Sequence, residues 1–166
     1  MMEFLQPVDQ EIIEFSDDLN KNQIGKSITQ LTYEEISISK GSVVILFVPE
    51  YRGSCEDKSY DEDQIKFIRK SFYELYLGNW TYDLIDIGTL HPGKELSDTY
   101  YALKTVLEEI LSHQAIPLII GGSQDLTYYQ YRAFDQTENM VNMVSIDYGF
   151  DLGDSKEDLH NHNYLS

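Results

Sequence analysis

At 166 residues, 42% of them hydrophobic, the chain is long enough to bury one real core. Acidic residues outnumber basic ones 29 to 12 for a net charge of −17, and such a surface repels phosphate backbones and anionic headgroups, which excludes nucleic acid and membrane surfaces as partners. The lone cysteine, Cys55, rules out an internal disulfide; the start lacks the apolar stretch of a secretory leader, and no apolar run approaches the roughly 20 residues of a membrane span, so a soluble, cytoplasmic protein is expected.

Residues 1–40 read as a polar N-terminal extension with two weakly helical pieces, at 9–19 and 32–38. The β-branched run "SVVILFVP" (42–49), closed by proline, predicts a buried strand, and the polar stretch behind it a loop. Ile65, Ile68, Phe72, Leu75 and Tyr76 recur at helical spacing through "DQIKFIRKSFYELYLG", with Gly78 placed as a C-terminal cap. A second strand is expected at "YDLIDIG" (82–88), then a helix over 98–114 with Leu103, Val106, Leu107, Ile110 and Leu111 inward. The third strand, "IPLII" (116–120), runs into the turn "GGSQD" and a short helix over 125–134. A fourth is expected at "VNMVSID" (141–147), ahead of an acidic loop that reaches "LHNHN". Strands alternating with helices predict one α/β domain, a parallel sheet covered on both faces.

Sheets of this kind bind ligands beyond the carboxyl ends of their strands. The turn after the third strand and the loop after the fourth are therefore the candidate site, suited to a small molecule. Asp147 and Asp151 stand close enough in sequence to reach one hard cation, although acids after a strand are also ordinary turn formers. Gly121 and Gly122 permit tight backbone geometry, Ser123 can cap the following helix, and Asp125 favours its positive end. His160 and His162 alternate in an acidic loop, a spacing open to metal ligands and to solvated side chains alike.

The order of these pieces resembles the ureohydrolases: arginase, agmatinase and formimidoylglutamase. "PLIIGGSQD" is similar to the family's PLxxGGDHS, "SIDYGFD" to the segment containing DAHxD, and "FIRKSFYEL" to the first-helix segment, with Gln64-Ile65 in place of a Gly-Pro. The reading "IGGSQDLTY" resembles a divergent, formimidoylglutamase-like branch. The resemblance implies a three-layer α/β/α fold with a parent sheet in the order 2-1-3-8-7-4-5-6, of which this chain carries about four strands. It also implies later metal carboxylates in a D-x-D segment that these residues do not contain. Residues 1–166 are thus read as one arginase-like domain, incomplete at its C-terminus. Its fourth strand is expected to pair directly with the third or be completed by a second molecule, with a strand that swings out as the remaining arrangement; a homo-oligomer follows from the second.

What the family does gives the departures their meaning. The resemblance implies two manganese ions holding a hydroxide that attacks a guanidino or formimino carbon. The turn's histidine ligand falls on Gln124 and the aspartate before it on Ser123; in the second loop Asp147 and Asp151 survive, but the histidine between them falls on Gly149. Loss of a supporting partner alone costs about 10–100-fold in affinity or activity, and an amide oxygen is a poor donor for a transition metal. Manganese is therefore expected to bind weakly or not at all, with Asp147, Asp151 and Gln124 as remnant positions and Ser123, His160 and His162 as further loop contributors. The expected function is an arginase-like protein with a degenerate metal site, not an active ureohydrolase. A working hydrolase of C–N bonds in linear amidines and a non-catalytic binding or interaction module are the alternatives.

Overall fold

The computed structural model describes residues 2–32, 37–54, 62–135, 137, 140–147, 149–154 and 156–165. At its centre lies β3 (Val43–Phe47), flanked in parallel register by β4 (Leu84–Leu90) and β5 (Ile116–Ile120). Successive strand side chains point to opposite faces, and β3 is apolar on both. Val44 and Leu46 pack with Leu103, Val106, Leu107 and Ile110 of α4 (Leu96–Ser112), and with Leu126 and Ala133 of α5 (Leu126–Asp135). Ile45 and Phe47 face the other way, onto Ile65 and Tyr73 of α3 (Glu62–Tyr73) and Ile12 of α1 (Gln10–Asp17). Helices cover both faces, as the alternation of elements predicts.

The sheet departs from expectation at both edges. Beside β4 the N-terminal extension adds β1 (Leu5–Gln6), antiparallel, and β2 (Thr29–Gln30), parallel, so the sheet has five strands and is mixed. Two-residue strands are too short for any periodicity to announce them. At the far edge, residues 141–147 form no strand, and all but Asp147 are exposed. The expected direct pairing with β5 is therefore overturned: among the described residues the segment pairs with no strand. Its apolar pattern suits a strand, but a strand also needs a partner's hydrogen bonds. In β5 the Ile116 N–H donates to the Ser42 carbonyl at 2.8 Å and the Ile120 carbonyl accepts from the Val48 N–H at 3.0 Å. Even-numbered residues thus bond inward, and Pro117, which has no N–H, faces the open edge where proline is tolerated.

Helix ends also shift for identifiable reasons. Instead of running to Gly78, α3 stops at Tyr73, because residues 74–77 bond to the N-terminal extension. Ile24 N–H donates to the Leu75 carbonyl at 2.8 Å, Leu77 N–H to the Asn22 carbonyl at 3.0 Å, and Gln23 Nε2 to the Glu74 carbonyl at 2.8 Å. Leu75 and Tyr76, expected inward, are exposed. By contrast α4 starts two residues early, since the Asp98 carboxylate in its first turn accepts the Glu95 N–H at 2.9 Å. Residues 33–36 of the expected helical piece and residues 55–61, Cys55 included, lie outside the described residues. Among the described residues no helix is long and apolar enough to cross a membrane.

One charge sits inside the sheet. Asp86, in the middle of β4, is fully buried and faces α3. Its carboxylate accepts from Arg69 Nε at 3.0 Å, Tyr73 hydroxyl at 2.8 Å and Gly88 N–H at 2.8 Å. The Arg69 guanidinium also donates to Thr89 Oγ1 at 3.2 Å and lies 4.0 Å from the Phe47 ring centroid. Burial pushes the Asp86 carboxyl above the ordinary range, and Arg69 and the other donors offset only part of that rise. Burial, then the neighbouring Asp86 charge, pushes the Tyr73 phenol far above its ordinary value, so its hydroxyl remains a donor. Breaking a buried pair on one side strands the other charge, at a cost of about 3–5 kcal/mol. Asp86→Ala is expected to lose that much stability in urea unfolding, and Asp86→Leu combined with Arg69→Met to recover most of it. Equal stability of wild type and Asp86→Ala would show that the pair bears no part of the fold.

Candidate functional site

The turn after β5 is built for close approach. Gly121 and Gly122 adopt φ of +97° and +82°, which favours glycine, and a Cβ on Gly122 would overlap the Leu126 side chain. Ser123 does not cap α5 as expected. Its N–H and its hydroxyl both donate to the Glu50 carbonyl, at 2.8 and 3.2 Å, fastening the turn to the loop after β3. Glu50 is itself buried and grips Arg52 Nη2 at 2.6 Å. Arg52 spans the loops further, donating to the carbonyls of Gly93 and Lys94 at 3.0 and 2.9 Å and to Thr99 Oγ1 at 3.0 Å. Burial pushes the Glu50 carboxyl up, but the side-chain and backbone bonds from Arg52, with Thr99, outweigh it and hold it below the ordinary range.

Asp125 is a residue whose weight the sequence understates. It stands just before α5, yet its carboxylate turns inward, fully buried, to accept the Tyr100 hydroxyl at 2.5 Å. Burial, then this bond, raises the Tyr100 phenol far above its ordinary value. Tyr100 in turn stacks on Tyr129 with centroids 4.2 Å apart. The second oxygen, Asp125 Oδ1, has no hydrogen-bond partner among the described residues, and a Cβ on Gly53 would overlap this carboxylate. An acid following "GGSQ" is visible in the sequence, but nothing there signals Tyr100.

The predicted site residues come together in pairs, not as one cluster. Gln124 Nε2 donates to Asp147 Oδ2 at 2.5 Å, and the Tyr164 hydroxyl donates to the same oxygen at 3.3 Å. Asp151 faces His162 instead, Oδ1 to Nδ1 at 3.5 Å. His160 Nε2 lies 3.3 Å from Glu157 Oε2, and its Nδ1 accepts the His162 N–H at 3.1 Å, with the two imidazole rings 6.1 Å apart. Gly149 is exposed and a Cβ there would meet open space. Among the described residues no group of three or more His, Cys, Asp or Glu side chains is arranged to hold a metal ion. At the positions where a histidine is expected from the resemblance, Gln124 presents an amide that donates to Asp147, and Gly149 has no side chain to offer.

The sequence model of the arginase family matches residues 63–164. The chain belongs to the arginase family. Solved structures with the same fold include formimidoylglutamase from Bacillus subtilis, at 16% identity and TM-score 0.65, covering 81% of this chain and 49% of that one. Trypanosoma cruzi formiminoglutamase with Mn2+ matches at 19% identity and TM-score 0.65, over 75% of this chain and 46% of that one. A hypothetical agmatinase from Burkholderia thailandensis matches at 18% and 0.62, over 78% and 45%. No curated protein sequence matches significantly. This arginase-family chain thus spans about half the length of the structures it resembles.

The Tyr100–Asp125 bond makes a direct prediction. Tyr100→Phe leaves a buried carboxylate with neither oxygen bonded to a side chain among the described residues, an expected loss of about 1–3 kcal/mol in urea unfolding. Adding Asp125→Asn should return part of it, because a neutral amide is cheaper to bury than a charge. A fully stable Tyr100→Phe variant would mean that Asp125 is satisfied by other means.

Proposed function

We propose that this arginase-family chain carries a degenerate metal site and does not hydrolyse arginine, agmatine or formiminoglutamate by metal-assisted attack. The observation that carries the reading is the direct bond from Gln124 Nε2 to Asp147 Oδ2 at 2.5 Å, in which an amide donor meets the carboxylate where the family resemblance implies a histidine ligand beside it. Gly149 supports it by offering no donor atom. Each absent imidazole serves a different ion by the family resemblance, so the loss falls on both sites. Without a metal to acidify it, water keeps its ordinary pKa far above neutrality instead of one near 7, and little hydroxide is available at neutral pH. The carboxyl edge then remains as a scaffold surface for a small-molecule ligand.

Titration calorimetry with manganese at neutral pH tests the reading; weak or undetectable binding and no turnover of the three substrates are expected. The variant with Ser123→Asp, Gln124→His, Tyr148→Ala and Gly149→His together is expected to bind manganese more tightly than the unaltered chain. Open space at position 149 makes room for the new imidazole. Tightly held, near-stoichiometric manganese in the unaltered chain would sink the proposal outright.

A further inference from the structure

We propose that Asp147 and Asp151 work in this chain as anchors of a metal-free fastening that holds residues 157–165 against the carboxyl edge of the sheet. The inference deepens the reading above and rests on it. Three loops meet at that edge: residues 50–54 after β3, the turn at 121–125, and the segment from 147 onward. Side-chain and backbone contacts among the described residues join them. Gln124 Nε2 ties the turn to Asp147, and Tyr164 brings its hydroxyl to the same carboxylate oxygen. Asp151 is used twice, through its side chain by His162 and through its carbonyl by the Leu165 N–H at 3.2 Å. The Asn161 N–H donates to the Gly53 carbonyl at 3.2 Å, closing the ring back to the first loop.

The packing agrees with this assignment. Asn163 and Tyr164 are buried, although the segment has no regular secondary structure. Asn163 Oδ1 accepts the His160 N–H at 2.8 Å and its amide donates to the Asp158 carbonyl at 3.1 Å. Gly153 lies so close to Asn163 that a Cβ there would meet its side chain. Asn163 is thus satisfied within the segment, whereas buried Tyr164 and the Leu165 N–H find their acceptors in the two aspartates outside it. Bonds to a charged carboxylate are among the stronger hydrogen bonds, which suits a cross-link that must replace regular structure.

Residue-resolved amide hydrogen exchange on the whole chain tests the proposal. Gln124→Ala and the milder Tyr164→Phe each remove one donor to Asp147. In both, the Asn161 and Leu165 amides should exchange about tenfold faster, as expected from loss of one hydrogen bond to a charged group, while the β3 and β5 amides stay protected. Unchanged exchange at Asn161 and Leu165 in both variants overturns the fastening. Loss of protection throughout β3 and β5 in Tyr164→Phe also overturns it, since the effect would then be global. A separate arm adds manganese to the unaltered chain. Slowed exchange at those two amides there would instead overturn the metal-free reading on which the fastening rests.

Discussion

A single carboxylate placed inside the sheet constrains most of what surrounds it. Asp86 has no access to water, so its oxygens must be satisfied by donors that arrive from other elements. Arg69 and Tyr73, one helical turn apart on α3, deliver them from a single face of the helix. This sets the helix's height and rotation over β4 and lays the guanidinium on Phe47 of β3. With Tyr73 committed inward, α3 ends there, and the residues after it are free to bond with the N-terminal extension. The same extension then covers the outer edge of β4 with β1 and β2. An interior of aliphatic side chains would tolerate several positions of α3; the ion pair selects one.

The carboxyl edge follows a related logic with different balances. Glu50 is compensated by a guanidinium that also reaches two carbonyls and a hydroxyl, so one residue, Arg52, ties the loop after β3 to the start of α4. Among the described residues Asp125 receives a single hydroxyl and keeps one oxygen unpartnered. The buried groups of the edge thus hold it together. Nearer the surface, Gln124 pairs with Asp147 and His162 with Asp151.

Much of this arrangement was legible in the residues. The continuous apolar run of β3 announced a strand buried on both faces, and "IPLII" gave β5 with its observed bounds. Leu103, Val106, Leu107 and Ile110 of α4 are inward as its periodicity names them, with Leu111 half-buried, while Thr99, Tyr100 and Ala102 are buried without a signal in it. The double glycine turn and the family were readable because they depend on local backbone conformation or residue identity. The two-residue strands β1 and β2 were not, since such short strands form only where a neighbouring edge exists. The expected fourth strand failed differently: its apolar pattern was present, but it forms no ladder with the open edge of β5.

The sequence by itself determined the α/β alternation, the positions of β3, β4 and β5, the acidic surface and the absence of histidine at positions 124 and 149. These are properties of composition, of spacing along one strand or helix, or of a single side chain. Only the tertiary structure decided that Asp86 meets Arg69 and Tyr73, that Ser123 bonds to Glu50 and leaves α5 uncapped by its hydroxyl, that Asp125 takes the Tyr100 hydroxyl, and that Gln124 reaches Asp147. Each of those choices depends on which polar group elsewhere in the chain lies within about 3 Å once the apolar faces have packed, and no periodicity in the sequence encodes that distance.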